Sequence, residues 1–172
     1  MRDLPLGKRF DPARTSETEY LDALYQTFLR DLVRGNLHWK SPAMRLSLRR
    51  QPEIDGRHAI FWHIVSGGSD VEVDRELDTE RCMRLGWIRP IIQQFNSDFP
   101  REKLVHWWVS PDPRWRGRRY GLATDDYDYV VFVEERQAYA LLISAYYVDR
   151  QRRRDKFRVE HNHFWEKQEP PA

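Results

Sequence analysis

The sequence predicts a single α+β domain, with two main helices packed on an antiparallel β-sheet of about four to six strands. Three observations carry this. Two apolar stripes recur at helical spacing, one early and one near the middle of the chain. The second half then carries a succession of short β-branched and aromatic runs separated by turn residues. Finally, 172 residues with 40% apolar and 13% aromatic content suffice for one compact core and not for two.

Residues 1–15 contain Pro and Gly breakers and no periodicity, which predicts an extended arm. The domain proper then spans 16–160, followed by a polar tail over 161–172. Ser16 and Glu19 have capping-box spacing, and Tyr20, Leu21, Leu24, Phe28, Leu32 and Val33 follow as one helical stripe until Gly35-Asn36 stops it. From Trp39 the period changes to two, with Met44, Leu46 and Leu48 opposite Arg45, Ser47 and Arg49, as in a half-buried strand. Pro52 to Gly56 form a turn. His58 to Val65 is a β-branched and aromatic run that predicts a central strand, hairpin-paired with the one before and ended by Ser66-Gly67-Gly68. An acidic linker from Asp70 to Glu80 leads to Asp78 or Thr79 as the cap of a second helix, with Met83, Trp87, Ile88, Ile91, Ile92 and Phe95 as its stripe; Pro90 must kink or restart it. Strands are then predicted over Leu104–Val109, Trp115–Leu122, Tyr127–Glu134 and Ala138–Val148, the last two joined by a turn at Glu135-Arg136-Gln137.

Seven Trp, eight Tyr and eight Phe exclude a disordered chain. The apolar runs fall short of the roughly 20 residues of a membrane span, and the start of the chain has no signal-like apolar segment, so the expected location is cytoplasmic. The single Cys82 excludes an intrachain disulfide and a Cys-rich zinc module, and fits a buried structural thiol. Lys+Arg total 29 against 27 Asp+Glu, yet 24 of the cations are Arg, the residue suited to bidentate phosphate contacts. They cluster at Lys40, Arg45, Arg49 and Arg50; at Arg114, Arg116, Arg118 and Arg119; and from Arg150 through Arg152, Arg153, Arg154 and Lys156 to Arg158. Such blocks are either a polyanion-facing surface or solvated charged faces.

No phosphate-binding loop, dinucleotide fingerprint, nucleophile elbow or His-Glu-x-x-His helix occurs, so neither a cofactor nor a metal is expected. His161 and His163 form a His-x-His pair that Cys82, His38 or a carboxylate can complete as a metal site, or they belong to a plain polar tail. His63, at the end of the predicted strand, is either an acid–base group or a buried histidine bonded to a carbonyl. Arg75, Arg81 and Arg84 surround the start of the second helix. On the last strand Ser144 and Tyr146 share one face, and Ile143, Ala145 and Tyr147 the other.

The order Phe61-Trp62-His63-Ile64, a linker with Arg75, and Asp78-Thr79-Glu80-Arg81-Cys82-Met83-Arg84-Leu85-Gly86-Trp87-Ile88 resembles the His-then-(Asp/Glu)-Arg-x-x-Arg-Ile-x-Trp-Ile pattern of phage- and mobile-element-associated nuclease-like domains. Those domains belong to the barnase/EndoU/colicin/RelE superfamily of small RNases. Leu141 to Val148 is similar to that group's Thr-Ala-Tyr strand, with Ser144 in the Thr place.

The resemblance implies a toxin-like, metal-independent endoribonuclease cleaving RNA by 2′-hydroxyl attack. His63 would move the proton, Arg81 or Arg84 would stabilise the phosphorane, and Ser144, with Tyr146 behind it, would orient the phosphate. Lys40, Arg75, Arg84, Arg116, Tyr146 and Arg150 would hold the substrate, and Trp107, Trp108, Trp115 or Tyr120 would either stack bases or fill the core. RNA and a cognate inhibitor protein are the partners implied, with no membrane. The rival readings are a non-catalytic nucleic-acid- or partner-binding module on the same fold, and an enzyme with an Arg-lined pocket for a small anion.

Overall fold

Ser16 caps the first helix as its spacing to Glu19 predicts. In the computed structural model, which describes residues 4–67, 76–112 and 117–168, Ser16 Oγ accepts from the Glu19 N–H at 3.2 Å and Glu19 Oε2 accepts from the Ser16 N–H at 2.9 Å. Helix α1 (Glu17–Phe28) buries Tyr20, Leu24 and Phe28 and runs on as a π-helical turn over Leu29–Val33. The described part of the arm, residues 4–15, has no helix or strand but is pinned down. Tyr20 Oη donates to the Lys8 carbonyl at 2.9 Å, the Gly7 N–H to Met83 O at 2.6 Å, and Trp87 Nε1 to Pro5 O at 2.9 Å.

The α+β class holds, with one change to the sheet. Strands β2 (Ser41–Leu48), β8 (Ala140–Tyr147), β7 (Tyr129–Glu135), β6 (Arg118–Ala123) and β5 (His106–Val109) lie in that spatial order, and the two-residue β1 (His38–Trp39) pairs with β2. All pairings are antiparallel except β2–β8, where Leu46, Ser47 and Leu48 run parallel to Ala140, Leu141 and Leu142. The sheet is therefore mixed. A parallel neighbour needs a long crossover, and the helices and the β5–β7 meander between the two strands provide it. A separate antiparallel pair, β3 (Ser66–Gly67) and β4 (Glu76–Leu77), follows the second helix.

Two further expectations are corrected. Residues 58–65 are not a strand: Ala59–Val65 form helix α2, and no hairpin forms with β2. Six of its seven residues are buried, and a short run that is apolar except for His63 has no period to distinguish helix from strand. The carbonyls of Arg49 and Arg50 accept from the N–H groups of Ile60 and Ala59, which fixes its start. The supposed tail is also wrong, because Gln151–Glu166 form helix α5. Phe157, His161 and Phe164 recur at helical spacing along it and face the sheet, with Phe157 and His161 buried. Asp78 caps the short α3 (Thr79–Met83), and α4 (Ile88–Asp98) begins two residues before Pro90, where the missing N–H costs no helical bond.

The sheet separates two apolar clusters. One face, with Tyr120, Leu122, Tyr129, Val131, Val133, Leu142 and Ala145, packs under α1, α2 and α4. The other, with Trp108, Ala123, Val130 and Phe132, packs against Phe157 of α5. Trp108 lies so closely over Gly121 that a Cβ there would come within 2.5 Å of its ring. Trp107, Trp108 and Tyr120 are core residues; Trp115 lies outside the described residues. Among the described residues no helix is long and apolar enough to cross a membrane.

Candidate functional site

Strand β8 builds the site through a bulge. Phe132 opposes Ser144 while Val133 opposes Leu142, so Ile143 is an extra residue. Leu142 and Ala145 both face the inner core although three residues apart, and Ile143 moves to the outer cluster, on the side of Ser144 and Tyr146. The simple alternation expected from sequence, with Ile143 on the side of Ala145, fails for this reason.

Arg49, His63, Arg119, Arg136 and Ser144 line a cavity of about 420 Å³ along β8, and Ile60, Leu141, Leu142 and Ile143 complete its lining. Arg49 follows β2, and His63 sits in the last turn of α2. Arg49 Nη2 donates to His63 Nε2 at 2.5 Å; a guanidinium can only donate, so this nitrogen carries a lone pair. Arg119 lies opposite Glu134 in the sheet, with its guanidinium 4.5 Å over the Phe132 ring. Burial lowers its pKa, and the charges of Tyr146, Glu134, Asp112 and Glu160 oppose that shift. Arg136 donates to Glu134 Oε1 at 2.8 Å and to Tyr139 Oη at 2.9 Å, which holds it at the rim.

Two hollows follow this pocket in series. One, of about 420 Å³, shares Arg119 with it and adds Tyr146, Arg153 and Lys156. The other, of about 1000 Å³, shares Tyr146, Arg153 and Lys156 in turn and adds Arg81, Arg150 and Arg152, with Asp78, Glu80 and Asp149 on its walls. Tyr146 has the Arg81 guanidinium 5.1 Å and the Arg153 guanidinium 5.0 Å from its ring, and Arg153 Nη2 donates to its hydroxyl at 2.8 Å. Burial raises the phenol's pKa against the pull of Arg153, Arg119 and Arg81.

The structure thus brings His63 and Ser144 together and leaves Arg81 next door. Arg81 Nη1 donates to the backbone carbonyl of His63 at 3.0 Å, and its Nε lies 3.4 Å from Asp78 Oδ2. Tyr146 and Arg150 line the hollow of about 1000 Å³. Arg84 does not: it is buried, 4.2 Å over the Tyr147 ring and bonded to Glu80. Lys40 is likewise held inward, by Tyr120 Oη at 2.6 Å and by Glu135. Arg75 and Arg116 lie outside the described residues. Arg49, Arg119 and Arg136 take the place expected of Arg81 and Arg84. The first two stood in the basic blocks and the third in a predicted turn, and only the pleat and the bulge distinguish them from their neighbours.

The His161–His163 pair does not form, since in a helix residues two apart point to different sides; His161 is buried and His163 exposed. Cys82 is remote from them, donating to the Val65 carbonyl, and burial pushes its thiol up to about 12. His161 instead meets Glu102 and His106, whose ligand atoms all lie within 4.8 Å of one another. Burial raises the Glu102 carboxyl, but hydrogen bonds from His106, His161 and the Trp107 N–H outweigh this and hold it at about 2.

Compared with protein-family models, curated proteins and solved structures, the chain shows no match.

Proposed function

We propose that the protein is a metal-independent endoribonuclease acting on cytoplasmic RNA, with the pocket of Arg49, His63, Arg119, Arg136 and Ser144 as its reaction site. One observation carries the reading. His63 and Ser144, far apart in sequence, meet in a pocket that, among its described lining residues, has three arginines and no acid. Such a pocket suits one phosphodiester anion bound by charge-assisted hydrogen bonds.

The chemistry follows from the donors. RNA phosphate entering the pocket competes for Arg49, which leaves its bond to His63 and turns to the phosphate. The freed Nε2 lone pair then takes the proton of the 2′-hydroxyl as its oxygen attacks phosphorus. Arg49, Arg119 and Arg136 stabilise the charge on the phosphorane, and the Ser144 hydroxyl orients a non-bridging oxygen. The 5′-oxygen leaves and takes a proton from water on the open side, giving a 2′,3′-cyclic phosphate and a 5′-hydroxyl. Flanking nucleotides run toward Tyr146, which offers a stacking face between two guanidiniums, and toward Arg150 and Arg153.

The test is cleavage of mixed cellular RNA in EDTA, scored by cyclic-phosphate ends. His63→Ala lowers the rate by about 10²- to 10⁴-fold while RNA binding changes little. Equal cleavage by both proteins removes His63 from the mechanism. A second reading, a non-catalytic RNA-binding module, has its own support, since His63 is the one imidazole among the described lining residues. Salt-dependent binding without cleavage by either protein selects it.

A further inference from the structure

We infer that Glu102, His106 and His161 form a site for one divalent transition-metal ion, which fastens α5 to the start of β5. None of the three lines the arginine pocket, so this inference stands independently of the cleavage reading.

The donor set comes from three parts of the fold: the loop after α4, the first residue of β5, and the middle of α5. His106 Nδ1 lies 3.0 Å from Glu102 Oε1, and His161 Nε2 lies 2.5 Å from Glu102 Oε2. The other nitrogen of His161, Nδ1, lies 3.2 Å from Asn162 Oδ1. A neutral imidazole has one N–H to give, so with an oxygen beside each ring nitrogen a metal ion at Nε2 satisfies both contacts. With Nδ1–H donated to Asn162, the Nε2 lone pair points at the carboxylate. Metal-bound histidines are held in this way, the second ring nitrogen bonded to a neighbouring oxygen.

The surroundings fix the other two donors. The Trp107 N–H donates to Glu102 Oε2 at 3.2 Å, and the His106 ring stacks on Tyr127 with centroids 5.0 Å apart and planes at 3°. His161 is buried, while the side chains of His106 and Glu102 keep 30% and 23% of their exposure. An ion therefore has a way in and room for a water ligand. Two imidazoles and one carboxylate suit zinc and its neighbours, whereas calcium and magnesium prefer all-oxygen sets. Bonds of about 2.0–2.2 Å put tetrahedral donors about 3.3–3.6 Å apart, so the His106–Glu102 pair opens by about half an ångström and the His161–Glu102 pair by about one when the ion enters.

The experiment titrates Zn²⁺ into the chelator-stripped full chain by calorimetry and thermal melting, and Co²⁺ by visible absorption. The expected result is one equivalent bound, a melting temperature that rises with Zn²⁺, and a cobalt d–d band. All three are lost in His106→Ala, at a partly exposed position, and all are kept in His163→Ala. Asn162→Ala binds about 10- to 100-fold more weakly. Should His106→Ala fail to fold, the cobalt band of the parent and its loss in Glu102→Gln decide. No binding by the parent, or binding unchanged in His106→Ala or Glu102→Gln, overturns the inference.

Discussion

On the sheet face toward α1, α2 and α4, Phe28, Trp39, Phe61, Ile64, Ile88 and Ile92 are wholly excluded from solvent. On the face toward α5 the apolar cover ends at Phe132 and Ile143, and Arg119, Ser144 and Tyr146 continue into the open hollows. Each large side chain buried on the first face contributes about 1.5–3 kcal/mol, whereas a cation on the second gains little from folding. The fold thus draws its stability mainly from one side of the sheet, which leaves the other side free to collect charge.

Substitutions on the two faces should separate these roles. Phe61→Ala, beneath α2, is expected to destabilise by about 3–5 kcal/mol in urea unfolding; a loss below 1 kcal/mol would mean that α2 is not an anchor. Arg153→Gln, on the open side, should move the unfolding midpoint little but reduce the salt slope of log affinity for single-stranded RNA by about 0.7. An unchanged slope would detach the hollows around Tyr146 from RNA.

The smallest effect concerns pH. His58, at the start of α2, has Nδ1 2.8 Å from Tyr25 Oη, and burial, then the charge of Arg50, lowers its pKa from 6.5, against the pull of Glu53. The folded chain therefore binds fewer protons than the unfolded one as pH falls below about 6.5. Its contribution is fully present above that value and is lost as pH falls through the lowered pKa. His58→Gln should flatten the decline in urea midpoint between about pH 7.5 and 5; a parallel decline would assign it to other groups.

Elements whose signal is local were legible in the sequence. Ser16–Glu19 announced α1, Asp78 announced α3, and the runs ending in β7 and β8 announced the hairpin. Helix α2 was not, because a stretch of seven residues that is apolar but for His63 is decided by what surrounds it. Helix α5 was hidden because a run of arginines opens it and a histidine, His161, fills the apolar slot between Phe157 and Phe164. The resemblance grouped His63, Arg81 and Ser144; His63, delivered by α2 and not by a strand, lines one pocket with Ser144, and Arg81 lines another hollow. Which arginines join them was not legible, since one bulged residue, Ile143, sets which side chains share the face of Ser144.

Trp107 holds a further consequence. It lies in β5, the last strand of the sheet, and its N–H is taken by Glu102 Oε2 while its carbonyl accepts from Trp165 Nε1 at 2.8 Å. Both main-chain groups with which this sheet edge would recruit a strand from another molecule are occupied by side chains of the same molecule. At Trp107 the fold therefore carries its own guard against edge-to-edge aggregation. Loosening α5, which carries Trp165, would expose an adhesive strand as well as weaken the basic surface.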